Sequence, residues 1–485
     1  MSETIVEDKI EDKIEEELTE NTDYDKSRNN SPAKVNPLGV EPVQRLLLRF
    51  AVPSMIAMLV SALYNIVDQF FIGRYVGELG NAATNIAFPL TTSCTAIALL
   101  CGIGGASAFN LAMGGGKKEE AANYIGNAIV TMLGLGTILC VVVQLFLTPM
   151  LRAFGSPENV LPYAETYTSI TSFGFPFLII GTGGGHLMRA DGSPKMTMIC
   201  NITGAVINTV LDYIFVGIFD WKMAGAAWAT VIGQTVAAML VFGYFTRFKT
   251  VKLSAKNLLL RGRCIGRVLS LGTAPCSNQI AMMVVQIVLN NSLKYYGGQS
   301  VYGESIPIAC VGIISKVCMV FFSFVIGISQ GLQPIVSFNY GAENYRRVKK
   351  AYKLALMASF VISMIAFVMC QVFPRQIISM FGDGTEAYYE FGISYFRVYM
   401  FFICLTFIQP ITSNFFTAIG KPIKGVFLSL TRQILFLIPL ILILPRFFGV
   451  DGILYAGPVA DFTAITTATV MAILEFRHGE YRQSA

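Results

Sequence analysis

Long apolar stretches recur along almost the whole of this chain. Crossing a bilayer as a helix takes about 20 apolar residues. Twelve stretches reach that length, near 48–72, 86–112, 122–147, 162–184, 194–217, 224–245, 267–293, 306–338, 350–373, 390–416, 422–445 and 451–474. Of the 485 residues, 14% are charged, whereas soluble domains carry about 25%. The sequence therefore predicts an all-α polytopic membrane protein with twelve transmembrane helices.

The two halves of the chain repeat each other at a nearly constant offset. The matching features are Pro53 with Pro275, Gly102-Ile103 with Gly327-Ile328, Ala190 to Pro194 with Ala418 to Pro422, and Gly225 with Gly452. Internal repeats are how many transporters are built. Because six helices per half is an even number, we expect two pseudo-symmetric six-helix lobes in one orientation, with a cleft between them.

Charge divides the chain into regions. Residues 1–45 hold twelve acids against six bases, which predicts an acidic cytoplasmic tail that is disordered rather than helical. An N-lobe over 46–245, a basic cytoplasmic linker over 246–266, a C-lobe over 267–475 and a short cytoplasmic tail over 476–485 follow. Lys and Arg concentrate in alternate loops, which by the positive-inside rule predicts a multi-pass protein of the cell membrane with both termini cytoplasmic.

Several classes of site are excluded by residue type. Ten cysteines are dispersed without a C-x-x-C pair, and the chain has two histidines, so zinc, haem and Ser-His-Asp sites cannot be assembled. No G-x-x-x-x-G-K-[ST] loop is present. We expect no cofactor, no metal and no nucleic-acid partner, since the bases are scattered over loops. A membrane-embedded enzyme such as a polyprenyl transferase would require paired acids at a metal-binding spacing, which the chain lacks.

Two acids lie inside the spans of the first half. Asp68 in the first span has Tyr64 one helical turn away, and Asp212 in the fifth has Asn208 in the same relation. An acid in hydrocarbon costs about 2.5 to 3.5 kcal/mol on insertion scales, so each needs an explanation. A carboxyl group balanced between burial and nearby hydrogen-bond donors is suited to bind and release protons. The alternative is that both acids are structural groups satisfied by neighbouring helices.

The second half carries a further acid, Asp461, in its twelfth span. Three bases also fall inside spans of that half: Lys316, Arg397 and Arg432. These four residues predict a polar network in the C-lobe. They are consistent either with a structural ion-pair network or with a polar cavity that holds an anionic group.

Several segments resemble the multidrug and toxic compound extrusion (MATE) family of transporters. They are Asn65-Ile-Val-Asp68-Gln-Phe-Phe-Ile-Gly73, Asn208-x-x-Leu-Asp212, Gly225-Ala-Ala-x-Ala-Thr230 and the stretch from Gly331-Leu-Gln333-Pro334-Ile335 to Gly341-Ala342. The Gln-Pro-Ile and Asn339-Tyr-Gly-Ala segments are similar to the MepA-like branch of that family. The resemblance implies a twelve-helix exporter driven by inward flow of H⁺ or Na⁺.

The resemblance also implies which residues couple the cation to transport. The N-lobe coupling residues of the family correspond to Asp68, Asp212, Asn208, Tyr64 and Thr230. Some relatives also bind cations through acids of the seventh and tenth helices, but here the seventh span has no acid and the tenth offers Arg397. This departure favours a site in the N-lobe, and protons over sodium.

The expected function is secondary active export of organic, cationic or amphipathic drugs and toxins by antiport, through alternating access. The expected partners are small organic substrates, H⁺ or Na⁺ and the lipid bilayer, and we expect a monomer. The alternative is a flippase for lipid-linked oligosaccharides, from the same wider superfamily. Its cavity would use bases such as Lys316, Arg397 and Arg432 to hold a pyrophosphate.

Overall fold

The computed structural model describes residues 36–303, 305–380 and 385–477. The predicted disorder of the tail falls almost entirely outside these ranges, as does the tail after residue 477. In the amino-terminal unit, Met1–Glu41, the described residues form one helical turn over Pro37–Val40, in which the Asn36 side chain accepts a hydrogen bond from the backbone N–H of Leu38. The predicted lobe and linker boundaries stay a prediction.

The described part of the second unit, which begins at Pro42, is built from helices that account for all twelve predicted spans. In chain order they are α1 (Val43–Tyr75), α2 (Glu78–Gly114), α3 (Lys118–Leu145), α4 (Leu161–Phe173 and Phe175–Ala190), α5 (Pro194–Asp212), α6 (Lys222–Phe245), α7 (Gly262–Gly298), α8 (Ser305–Gly341), α9 (Tyr345–Val372), α10 (Glu386–Tyr399 and Ile408–Ala418), α11 (Pro422–Leu430, continuing to Ile443) and α12 (Val450–Arg477). The N-lobe is α1–α6 and the C-lobe is α7–α12.

Ten helices of the described ranges are long and apolar enough to cross a membrane. The other two spans, α4 and α10, are each interrupted. In α4 the break falls at Gly174, and Pro176 opens the second segment, where its missing N–H costs nothing. The prediction of a twelve-helix polytopic fold is confirmed, although the uninterrupted apolar runs did not predict these two breaks.

Two spans contain a turn of π-helix, in which the backbone hydrogen bonds skip one residue more than in an α-helix. One runs over Tyr213–Ile218, directly after Asp212, and the other over Thr431–Leu437 in α11. Turns of this kind frequently lie at functional sites because they re-aim the side chains around them. Here they place an intramembrane charged residue next to an irregular backbone in each lobe, Asp212 in the N-lobe and Arg432 in the C-lobe.

The two lobes pack together closely at one end of the molecule. We call this the basic end, because the turns at Lys117-Lys118 and at Arg346-Arg347 lie there. Glycines allow the approach: a Cβ on Gly272 of α7 would lie 1.7 Å from the Leu100 carbonyl oxygen of α2. The contact is therefore made backbone to backbone, with no room for a side chain.

The second pair of helices at this interface is α1 with α8. A Cβ on Gly331 would lie 2.6 Å from the Ala51 backbone nitrogen, and one on Gly327 would lie 2.5 Å from the Met55 Cα. The amide of Gln333 in α8 adds hydrogen bonds across the lobes, donating to α2 at the Ile103 carbonyl oxygen (3.1 Å) and the Ser107 hydroxyl (2.9 Å). The basic end of the cleft is thus closed.

At the opposite end the inner helices diverge. Along the outer half of α1, the polar side chains of Asn65 and Gln69 are exposed. They follow Ala51 and Met55 by about four turns, so they lie on the face of α1 toward α8. Such residues would be covered if α1 and α8 stayed in contact along their whole length. The lobes therefore form a cleft that is closed at the basic end and open at the other.

The segment between α6 and α7 is fixed to the N-lobe. The Asp191 carboxylate accepts hydrogen bonds from the backbone N–H groups of Lys249 (2.8 Å) and Thr250 (2.9 Å). The Asn127 amide oxygen of α3 accepts one from the backbone N–H of Arg261 (2.7 Å). Each anchor lies within the N-lobe, so motion between the lobes must be taken up at or beyond the start of α7.

Replacing Gly272 by valine is expected to open the basic end. Overpacking costs about 1–3 kcal/mol, so the fraction of molecules with separated lobes should rise roughly tenfold. The measurement is maleimide labelling of Ser107→Cys, a buried interface position, in a background without the ten native cysteines. The matched control is Gly266→Val, since a Cβ at Gly266 meets no atom within 4 Å. Equal labelling of both variants would contradict the assigned interface.

Candidate functional site

The N-lobe encloses a polar chamber made by α1, α5 and α6, with one wall from α4. Helix α1 contributes Tyr64 and Asp68, α5 contributes Asn208 and Asp212, and α6 contributes Thr230. The carboxyl groups of Asp68 and Asp212 lie within hydrogen-bonding reach of each other. The structure therefore brings together all five residues that the sequence analysis selected in this lobe.

The Thr230 hydroxyl lies at the centre of the neutral groups in the chamber. The amide nitrogen of Asn208 donates to it at 3.3 Å. The Tyr64 side chain also lies close to Thr230 and to both carboxyl groups. The Asn208–Thr230 hydrogen bond joins α5 to α6, and Tyr64 places α1 beside it.

One residue of the chamber was missed by the sequence analysis. Tyr167, in the first segment of α4, is buried and lies close to Thr230 and to both carboxyl groups. In the sequence, Tyr167 has no acid one helical turn away, and its neighbouring residues do not distinguish it from other tyrosines in apolar spans. The available signal was the internal repeat: the spacing that relates Ala190 to Ala418 relates Tyr167 to Tyr395.

The chamber has an excess of acceptors over donors. Both carboxyl oxygens of Asp212, one of Asp68 and the amide oxygen of Asn208 are buried without a hydrogen-bond donor from the part of the chain that the structure describes. Two ionised carboxylates are acceptors alone, so neither can satisfy the other. Buried acceptors normally find a partner. A proton or a small cation in the chamber would supply it.

Side chains for a transition-metal site are not grouped anywhere in residues 36–303, 305–380 and 385–477, where no three His, Cys, Asp or Glu side chains come together. The chamber itself offers two carboxylates, one amide oxygen and hydroxyls. Hard oxygen donors of this type suit H⁺ or an alkali cation rather than a soft metal.

The C-lobe contains a different polar group. The Arg432 Nε donates to the Asp461 carboxylate at 2.6 Å, and both side chains are largely buried. Tyr399 of α10 lies in the field of this pair and packs on Gly457 of α12. The ion pair joins α11 to α12 in the interior of the lobe, where the bilayer offers no water to either charge.

The other two predicted members of this network do not reach the pair. Arg397 is exposed, and its backbone oxygen accepts a hydrogen bond from the Gln371 amide. Lys316 is half-buried and forms no ion pair with any described acid. The structure therefore brings Arg432 and Asp461 together and leaves Lys316 and Arg397 apart from them.

The chain matches the MatE family model over residues 53–214 and again over residues 276–443. It is 23% identical to the multidrug export protein MepA of Staphylococcus aureus (strain N315) over 434 residues, which is 89% of this chain and 94% of MepA. The MepA of Staphylococcus haemolyticus (strain JCSC1435) is likewise 23% identical, over 86% of this chain and 90% of that protein.

Two solved structures show the same fold. One is the outward-facing conformation of a multidrug resistance MATE family transporter of the MOP superfamily, with a TM-score of 0.85 and 21% identity over 92% of this chain and 99% of the other. The second is a MOP superfamily transporter from Pyrococcus furiosus, for which a reverse polarity of the binding pocket suggests a different function. Its TM-score is 0.83, with 22% identity over 93% of this chain and 100% of the other.

Arg432→Gln should destabilise the protein by about 3–5 kcal/mol, because it leaves the Asp461 carboxylate buried and unpaired. The double variant Arg432→Gln with Asp461→Asn removes both charges and should recover at least half of the loss. Thermal unfolding of the purified proteins in detergent measures both effects. If the double variant unfolds at a temperature no higher than that of Arg432→Gln, the two charges do not form the ion pair that the structure shows.

Proposed function

The chain belongs to the MatE family of membrane transporters, and from this premise we propose that it exports organic, cationic or amphipathic compounds by antiport with H⁺, or with Na⁺. Proteins of this family are transporters and not enzymes, and this chain is a multi-pass membrane protein. The coupling residues of the proposal are Asp68, Asp212, Asn208, Tyr64 and Thr230. Tyr167 joins them on the basis of its position.

The observation that carries the proposal is the meeting of two carboxyl groups in a chamber short of donors. A hydrogen bond between two carboxyl groups requires a proton, and losing that proton would leave two like charges facing each other in a medium of low dielectric. Their repulsion would press α1 and α5 apart. Binding and release of a proton by this pair therefore change how α1 packs. Helix α1 is one of the N-lobe helices that lie against α8.

Alternating access follows from the glycine contacts at the basic end. We place that end in the cytoplasm, because cytoplasmic loops carry most of the Lys and Arg. The structure is then in a state open to the outside, in which a proton can enter the chamber as substrate leaves. Both termini would be cytoplasmic, the membrane would be the cell membrane, and the transporter would act as a monomer.

The free energy released by proton entry is large enough to drive export of a substrate against a concentration gradient. A proton that falls through about 100 mV supplies roughly 2.3 kcal/mol, which sustains about a fifty-fold substrate gradient when one charge moves per cycle. Protons are preferred over Na⁺ because the two carboxyl groups lie side by side, and one proton held between them removes the repulsion of two like charges. An imposed pH gradient and an imposed sodium gradient, applied separately to dye-loaded vesicles, distinguish the two ions.

The flippase alternative is less well supported. A pyrophosphate would need several free bases around one cavity, but Arg432 is neutralised by Asp461 at 2.6 Å and Arg397 is exposed away from that pair. The family and its multidrug-exporting relatives favour export of small organic compounds.

Asp212→Asn and Asp68→Asn should each abolish export driven by pH while leaving the protein in the membrane. A pH gradient of about 1.7 units supplies roughly the same 2.3 kcal/mol as about 100 mV, so the roughly fifty-fold substrate gradient that it sustains should fall to about one without a titrating carboxyl pair. The measurement is dye efflux from vesicles with an imposed pH gradient. Asp451→Asn, at an exposed acid in the first turn of α12, is the matched control. Normal transport by both chamber variants would overturn the assignment.

Tyr167→Phe should lower pH-driven efflux about fivefold, since it removes a polar hydroxyl beside the carboxyl pair and one such polar contact is worth roughly 1 kcal/mol. The fold should be unaffected, because the ring that packs in the lobe is kept. Tyr163→Phe, one turn earlier in the same segment, removes a hydroxyl outside the chamber and should transport like the wild type. Equal rates for the two variants would exclude Tyr167 from the coupling group.

A further inference from the structure

Lys316 is a charged residue in the middle of α8 that the coupling chamber and the C-lobe ion pair both leave unused. It lies about eleven residues from the outer end of its helix, and at 1.5 Å per residue this is close to the middle of the bilayer. An unpaired ammonium at that depth is expensive unless it faces water or a partner. No described acid lies within ion-pair distance of it.

The direction in which Lys316 points follows from the helix contacts. Gly327 and Gly331 define the face of α8 that lies against Met55 and Ala51 of α1. Lys316 precedes Gly327 by eleven residues, which is about three turns, so it lies on the same face. Because the lobes have diverged at this level, that face borders the open cleft rather than α1.

The depth of Lys316 follows from the same register. Helices α1 and α8 are antiparallel, and Gly327 is level with Met55. A step of about three turns away from the basic end leads from Gly327 to Lys316 on α8, and from Met55 to Ile66 on α1. Lys316 is therefore at the depth of Asp68, on the opposite side of the cleft.

The walls of the cleft around Lys316 are polar but uncharged. On α1, Asn65 and Gln69 follow Ala51 and Met55 by about four turns, so they share the face toward α8, and both are exposed. On α7, the Gln286 amide donates to the Asn290 amide oxygen at 3.0 Å. Amides of this kind can donate to or accept from a ligand but cannot neutralise an ammonium.

We propose that Lys316 binds a carboxylate, or an equivalent anionic group, on the transported compound. The preferred substrates would then be amphipathic zwitterions, in which an apolar body carries an anionic group alongside its cationic one. The ammonium donates hydrogen bonds to the carboxylate, and the amides of α1 and α7 complete its surroundings. This inference rests on the proposed export function and adds to it the class of compound exported.

Equilibrium binding tests the proposal without any gradient. The probes are rhodamine 110, a zwitterion with a free carboxylate, and its methyl ester rhodamine 123, a cation of almost the same shape. Fluorescence polarisation with the purified full-length protein should show the zwitterion bound about tenfold more tightly, as one partly solvated ion pair allows. Lys316→Gln should remove that preference, Lys316→Arg should keep it, and Lys316→Glu should reverse it.

Lys353→Gln, at an exposed base of α9 near the basic end, makes the same charge change away from the cleft and should bind like the wild type. No preference in the wild type, an unchanged preference in Lys316→Gln, or no binding of either dye would overturn the proposal. The efflux test of Asp212→Asn is separate. If that variant transports normally while Lys316→Gln loses its preference, the coupling mechanism fails and the carboxylate site stands.

Discussion

The close contact of glycine backbones at the basic end is the constraint on which the rest of this structure depends. No side chain fits between Gly272 and Leu100 or between Gly331 and Ala51, so the inner helices of the two lobes meet in one fixed register there. Packed interfaces of this kind are either formed or separated, with little in between. In the proposed transport cycle, that property would let a small change in one lobe switch the cleft from one side of the membrane to the other.

The same contact sets the depth of everything in the cleft. It places the outer half of α1, with Asp68 on its inner side and Asn65 and Gln69 toward the opening, level with the middle of α8. One helix thus presents a carboxyl group to the interior of its own lobe and amides to the cleft. Coupling and recognition can therefore be carried by neighbouring turns of α1 without sharing a side chain.

The two lobes are alike in backbone and different in chemistry. The repeat relates Gly204 of α5 to Arg432 of α11, since it relates Pro194 to Pro422. In the N-lobe this position lets α5 approach Gly233 of α6, with 3.1 Å from a Cβ on Gly204 to the Gly233 oxygen. In the C-lobe the same crossing is held by the Arg432–Asp461 ion pair. A carboxyl that is paired with arginine is less suited to load and release a proton, which supports placing the proposed coupling site in the N-lobe.

The sequence by itself determined the spans, the repeat and four of the chamber residues, because hydropathy, a constant offset and acids with a polar neighbour one turn away in apolar runs are all local properties of the chain. The fifth, Thr230, came from the resemblance to the family. It also narrowed the C-lobe network to four residues, but it could not say that Arg432 pairs with Asp461 while Lys316 and Arg397 stay apart. Tyr167, the break at Gly174 and the direction of Lys316 were decided by the tertiary structure alone. Each depends on which helices lie side by side and in what register, and that is fixed by backbone contacts between residues far apart in the chain.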